Sequence, residues 1–190
     1  MIPFSLQETE TELFCSSKWW GDPDLPREMG YPMITVEDDG GSFRYPLTFI
    51  CQVDCEDIAP LDPENRLPHR GMLYFFAALD EYAGYESPVH NGEGPWGKGM
   101  AVVRYAAEIN FETFRSSILV DDEDNALTEP ALQMAFGGEG ESALLPEDGV
   151  LLRIADGTGG LDFGGKALSF RYNETDFRRE GWKSVKAYLE

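Results

Sequence analysis

Apolar residues fall into short runs separated by polar, glycine- and proline-rich links, and two stretches repeat one pattern. The first, Leu47 to Phe76, is an apolar run ending in Gln52-Val53-Asp54, a polar loop, and the run Gly71-Met-Leu-Tyr-Phe-Phe76. The second, Gly149 to Phe170, is Gly149-Val-Leu-Leu-Arg-Ile-Ala-Asp156, a glycine-rich loop, and Gly165-Lys-Ala-Leu-Ser-Phe170. Runs of this length between turn formers read as strand, loop, strand. Use of the unit twice, over about 47–79 and 149–172, predicts a mainly β, β-rich α+β fold: a roll-like framework of two related antiparallel strand units with few short helices.

Between these units the pattern predicts a strand over 32–36, a turn at Glu37 to Ser42, a return over 43–45, and a strand at Met100 to Tyr105. Phe111, Phe114 and Ile118 stand at helical spacing, which suggests a short helix or turn over 108–118. A short helical stretch is expected around 130–135, a link over 175–182 and a final alternating strand over 184–189. Residues 1–13 are polar enough to read as loosely ordered or a short helix. The segment Phe14 to Pro26 contains Gly21, Pro23 and Pro26, which exclude a regular helix or central strand and imply an ordered strap. In an extended strap Trp19 and Trp20 would point in opposite directions.

A chain of 190 residues has room for one core without disulfides or metal, and one domain over 1–190 is expected. Three cysteines, Cys15, Cys51 and Cys55, do not make a disulfide framework. No apolar run reaches the roughly 18 residues of a membrane span, and the N-terminus lacks a signal-peptide pattern. A cytoplasmic location is therefore expected. The net charge of −20, from 35 acidic and 15 basic residues, argues against nucleic-acid and anionic-membrane partners and favours a basic protein partner, although acidity also serves solubility. The basic residues Arg178, Arg179, Lys183 and Lys186 are interspersed with acids and read as a solvated face.

Ser17-Lys-Trp-Trp-Gly-Asp-Pro-Asp-Leu-Pro26, the run Leu47 to Asp54 with its Gln-apolar-Asp ending, and Leu67-Pro68 with Gly71 to Phe76 occur in an order that resembles the YwqG-like family of bacterial proteins, a family of uncharacterised function. The second strand pair and Asp176 to Glu190 look like that family's C-terminal strands. The chain departs from the family in a short N-terminal region, in Arg153 and Ala155 where the family tends to have Gln and Asp, and over 120–148. The resemblance implies a mainly β roll and brings no catalytic residues.

Chemical motifs are weak, and no cofactor is implied. Cys51 and Cys55 with His69 or His90 suggest zinc, but Cys51 belongs to a strand rather than a knuckle. Asp121, Glu123 and Asn125 alternate like a calcium loop, which Ala126 and Leu132 then break. Asp156-Gly-Thr-Gly-Gly160 leads into a strand rather than the helix that a phosphate cradle needs. The better candidates are binding residues: the aromatics Tyr82, Tyr85 and Trp96 on the loop from 81 to 98, with Trp19 and Trp20 on the strap, as anchors for a partner. A second candidate set, Gln52, Asp54, Arg153 and Asp162, recurs at equivalent ends of the two strand pairs, where related halves often leave a cleft. An interaction module, in concrete form an immunity-type inhibitor of a basic toxin domain, is the leading expectation. The alternative is a small-molecule-binding protein or enzyme with its site between the two halves.

Overall fold

Ile2, Phe4 and Leu6 alternate with polar residues, and the first of them are buried in a strand, β1 (Ile2–Gln7). The computed structural model of the chain describes residues 1–38, 40–79, 94–121 and 123–190. Residues expected to be loosely ordered thus open the main sheet. The strap contributes β2 (Lys18–Trp19) and β3 (Asp24–Pro26), and the predicted hairpin is β4 (Met33–Asp38) with β5 (Gly41–Pro46). The first strand pair is β6 (Thr48–Asp54) and β7 (Met72–Ala77), joined through the four-residue helix α1 (Cys55–Ile58). Then follow β8 (Gly94–Pro95), β9 (Ala101–Ala106), β10 (Phe114–Ser116), β11 (Leu132–Phe136) and β12 (Ser142–Leu144). The second pair, β13 (Val150–Ile154) and β14 (Leu168–Arg171), precedes helix α2 (Glu174–Glu180) and the last strand, β15 (Lys186–Leu189).

Eleven of these strands form one sheet in the order β8-β15-β14-β13-β12-β1-β11-β2-β6-β7-β9. All its pairings are antiparallel, and it curls until it is nearly a barrel. Outward from the central β1–β11 pair the two sides correspond: β12 and β2, β13 and β6, β14 and β7, β15 and β9. Both units carry a register shift in the first strand, between Phe49 and Cys51 and between Val150 and Leu152. The two halves face each other across the interior, where Phe75 of β7 meets Phe170 of β14 edge to face at 5.3 Å. Successive side chains of β7 point to opposite faces. Tyr74 and Phe76 accordingly leave the interior, Tyr74 meeting the strap through its hydroxyl on the Asp24 carbonyl and Phe76 meeting the ring of Tyr31, beyond the strap. Every residue of β7 is buried, because the strap and the β3–β10 ribbon roof its outer face.

Three local expectations are corrected and a fourth holds in part. The stretch around 130–135 is strand β11: Leu132, Met134 and Phe136 alternate with polar or small residues, and pairing with β1 and β2 exploits that period of two. Over 108–118 the turn alternative holds and the helical one does not: a turn leads into β10, in which Phe114 is buried, while Phe111 and Ile118 are exposed. Residues 174–180 are helical, because the Asn173 side chain accepts hydrogen bonds from the Thr175 and Asp176 amides and Gly181 ends the helix at positive φ. Trp19 and Trp20 do not diverge: Trp20 has φ 56°, which turns the chain so that both indoles are buried edge to face at 5.4 Å.

The glycine-rich loop at 156–160 closes over this tryptophan pair. Trp20 Nε1 donates to the Gly159 carbonyl at 2.8 Å, and a Cβ on Gly159 would overlap the indole nitrogen of Trp19. Gly159 also has φ +58°, a conformation that side chains disfavour. The loop is a structural clasp between the halves. Gly159→Ala is expected to lower stability by about 2–4 kcal/mol, read as a lower midpoint in urea unfolding followed by tryptophan fluorescence. An unchanged midpoint would show that the clasp carries no strain.

Candidate functional site

The strap's prolines and glycine limit its backbone pairing to the short strands β2 and β3, so side chains complete its anchorage. Asp24 is fully buried, and its Oδ2 accepts from Lys18 Nζ at 2.7 Å, Gln52 Nε2 at 2.8 Å and the Cys15 amide at 2.9 Å. Its Oδ1 accepts from the Ser116 hydroxyl at 2.6 Å. Gln52, also fully buried, returns the contact by accepting from the Asp24 amide and donates again to the Ser16 carbonyl. Gln52 therefore belongs to a closed network that joins the strap to β6 and β10, rather than to an open site.

Two residues further along β6, Asp54 reaches the surface. Its side chain caps α1 by accepting from the Glu56 amide at 3.0 Å, and its own amide donates to Ser17 Oγ, which donates to Asp57. Asp54 lines a cleft of ≈ 540 Å³ together with Cys15, Glu56, Arg70, Glu108 and Phe111. Gly71 is in the floor at φ +80°, where a Cβ would overlap the Ala106 carbonyl. Burial, then the neighbouring Asp57 and Glu56 carboxylates, raise the Asp54 pKa above its ordinary value. The Cys15 thiol is pushed up to about 12 by burial and then by Asp24, so it stays protonated at neutral pH. Phe111 is 66 % exposed at the rim, with the ring of Phe14 at 6.2 Å. The cleft therefore combines clustered carboxylates with an accessible aromatic ring.

A protein-family model described as a domain of unknown function (DUF1963) matches residues 17–151. The chain belongs to this family. The match begins where the resemblance noted in the sequence begins, spans 120–148 and does not itself name the YwqG-like group. No curated protein and no solved structure matches the chain. The matched span of the DUF1963 chain contains the strap from Ser17, Gln52, Asp54 and every lining residue of the cleft except Cys15.

The other expected site residues lie elsewhere in the DUF1963 chain. Arg153, on β13, reaches the Glu141 carbonyl at 3.4 Å, and exposed Asp162 accepts from the Gly164 amide to shape a loop. Four strands separate β13 from β6 along the sheet, so the set Gln52, Asp54, Arg153 and Asp162 forms no single network. Trp96 is buried, with its amide donating to the Ala187 carbonyl, and so is not an exposed anchor. Tyr82, Tyr85 and His90 lie outside the described residues. Cys51 and Cys55 are both buried thiols, and among the described residues no three metal-binding side chains converge. Asp121 instead organises its own turn, accepting from the Glu123 and Asn125 amides. Among the described residues no helix is long and apolar enough to cross a membrane.

Sequence reasoning missed a larger concavity of ≈ 820 Å³ at the seam where β9 approaches β15. Its wall joins Lys98 and Arg104 to Lys183 and Lys186, residues about eighty positions apart whose meeting no local pattern signals.

Two outcomes follow from this geometry. Asp24→Asn should strand the buried Lys18 charge and cost about 3–5 kcal/mol in urea unfolding, more than Lys18→Met, which leaves Asp24 its amide and hydroxyl donors. Equal effects would mean that the ion pair, rather than the donor set, dominates. For Asp54, a folded pKa above the unfolded one means that the native state binds the extra proton, so stability falls as pH rises through the folded value. Asp54→Asn keeps the helix cap and should match or exceed wild type at pH 7, by less than about 1 kcal/mol after solvent screening. That difference should vanish below the ordinary carboxylate range. A variant that is less stable at neutral pH would refute the assignment.

Proposed function

We propose that this DUF1963 domain is a non-enzymatic interaction module that takes a basic segment of a partner protein into the Asp54 cleft. The supporting observation is the convergence of Asp54, Glu56 and Glu108, three carboxylates against one cation, Arg70, among the described lining residues, on one concavity with exposed Phe111 at its rim. The raised Asp54 pKa marks one carboxylate whose charge is disfavoured by burial and by the neighbouring Asp57 and Glu56, and an incoming lysine or arginine would offset that cost by direct attraction. The methylene stem of such a side chain would pack on Phe111, and the overall charge of −20 would speed the encounter. In a concrete form, the partner is a toxin enzyme whose basic groove is covered, which is immunity-type inhibition. The YwqG-like resemblance adds no residue roles to this reading.

The test is affinity capture from a lysate of the source organism in rising salt, with wild type beside the double variant Glu108→Lys/Phe111→Ala. A basic protein held by wild type and lost by the variant is the expected result. Retention of the same protein by the variant, or recovery of none by wild type, would overturn the assignment.

A further inference from the structure

Lys98, in the turn before β9, and Arg104 of β9 meet Lys183, in the 3-10 turn Gly181–Ser184, and Lys186 of β15 along the seam groove. Among the described residues, none of these four side chains holds a carboxylate or a hydrogen-bond acceptor. Lys18, Arg66, Arg171, Arg178 and Arg179 do hold carboxylates, and what sets the groove apart is that four cations without one line a single concavity in a chain with 35 acidic residues. The two acids among the groove's described lining residues, Asp176 and Glu180, are both taken up by its fifth cation, Arg179. Among the described lining residues, five cations less two carboxylates leave a local surplus of three positive charges inside a strongly acidic molecule.

We infer that the seam groove is a binding site for a compact polyanion, a small molecule carrying at least two phosphates. A volume of ≈ 820 Å³ lies within the range of about 300–1,000 Å³ typical of small-molecule sites. Three of the four free cations are lysines, which act as point charges and suit phosphate oxygens without a demand for planar pairing. The fourth, Arg104, is half-buried and fixed on a strand. Trp182 supplies a rigid apolar wall, because its ring is packed on Phe177 at 4.9 Å and Tyr105 at 5.9 Å.

Range decides against an extended nucleic acid. Charges are screened over about 8–10 Å at physiological ionic strength, so a ligand within the groove senses mainly the local cations. A longer polyanion would leave the groove and meet the acidic surface. The site uses residues distinct from those of the Asp54 cleft, so either assignment can fail alone.

The experiment is isothermal titration of wild type with inorganic tripolyphosphate at about 150 mM salt, the screening regime just described. The comparison set is Lys183→Glu/Lys186→Glu, Lys98→Glu, and Arg178→Glu as a control on exposed helix surface outside the groove. Circular dichroism verifies the fold of each. Saturable binding to wild type, weakened at least about tenfold by either groove variant, unchanged in the control and weaker at higher salt, is expected from lost charge attraction. Absence of binding at millimolar probe, equal binding by the groove variants, an equal loss in the control, or tighter binding of a single-stranded oligonucleotide would each overturn the inference.

Discussion

The buried Asp24 carboxylate is the constraint on which the rest of the structure depends. The strap from Phe14 to Pro26 cannot pair as a regular strand along its length, yet it must roof β6 and β7, whose residues are almost all buried. Four donors on one carboxylate solve this, because each comes from a different part of the roof or the sheet. A buried ion pair contributes little net stability compared with apolar packing, but loss of one partner is severe, so such a group fixes where the strap sits more than how tightly it holds. The Tyr74 hydroxyl on the Asp24 carbonyl completes the attachment from β7. Asp54, two residues after Gln52, inherits its position from the same network.

The sheet adds a second constraint. Strand β1 comes from the chain's start but lies between β11 and β12, so the N-terminal segment is the joint between two related halves. The clasp at Gly159 reinforces that joint from the second half onto Trp19 and Trp20 of the first. At the opposite margin the described strands of the two halves do not pair: β9 and β15 approach through Trp182 and the turn that carries it. A barrel closed by hydrogen bonds would have no groove there. The open seam is thus a consequence of the sheet order, and the side chains along it are free to take a chemical character of their own.

Much of this was legible where local pattern and final environment agree. The β6–β7 and β13–β14 pairs, the β4–β5 hairpin, β9 and β15 all follow from apolar runs bounded by turn residues. Strand β1 carried the same signal in Ile2, Phe4 and Leu6, but the acids from Glu8 onward obscured it. In β11, Leu132, Met134 and Phe136 fit a period of two, and a short window permitted a helical reading instead. Helix α2 was announced by Asn173 as a cap, although Phe177 alone gave too little amphipathic signal. Of the candidate site, Asp54 was legible from the Gln-apolar-Asp ending. The role of Gln52 was not, because its partner Asp24 lies 28 residues away and the pairing exists only after folding.

Net charge was the least informative guide to the surface, for a physical reason. A total of −20 governs what the molecule attracts from beyond a Debye length, and there it disfavours any extended polyanion. Closer in, screening separates the surface into patches that act almost independently. The cleft at Asp54 deepens the global sign, since its carboxylates add to the field and Asp54 is held where burial and its neighbours disfavour its charge. The seam reverses it, since Lys98, Arg104, Lys183 and Lys186 are brought together by strands from both ends of the sheet while the acids beside them are already held by Arg179. Opposite charges left unneutralised on one acidic molecule require that something keep them apart, and here the fold does so. The cleft is fixed by the strap network in the first half, and the groove by the unpaired margin between the halves. A side chain can leave a nearby counter-ion only if the backbone holds it elsewhere, so the positions of β9 and β15 determine the groove's charge as directly as the residues that line it.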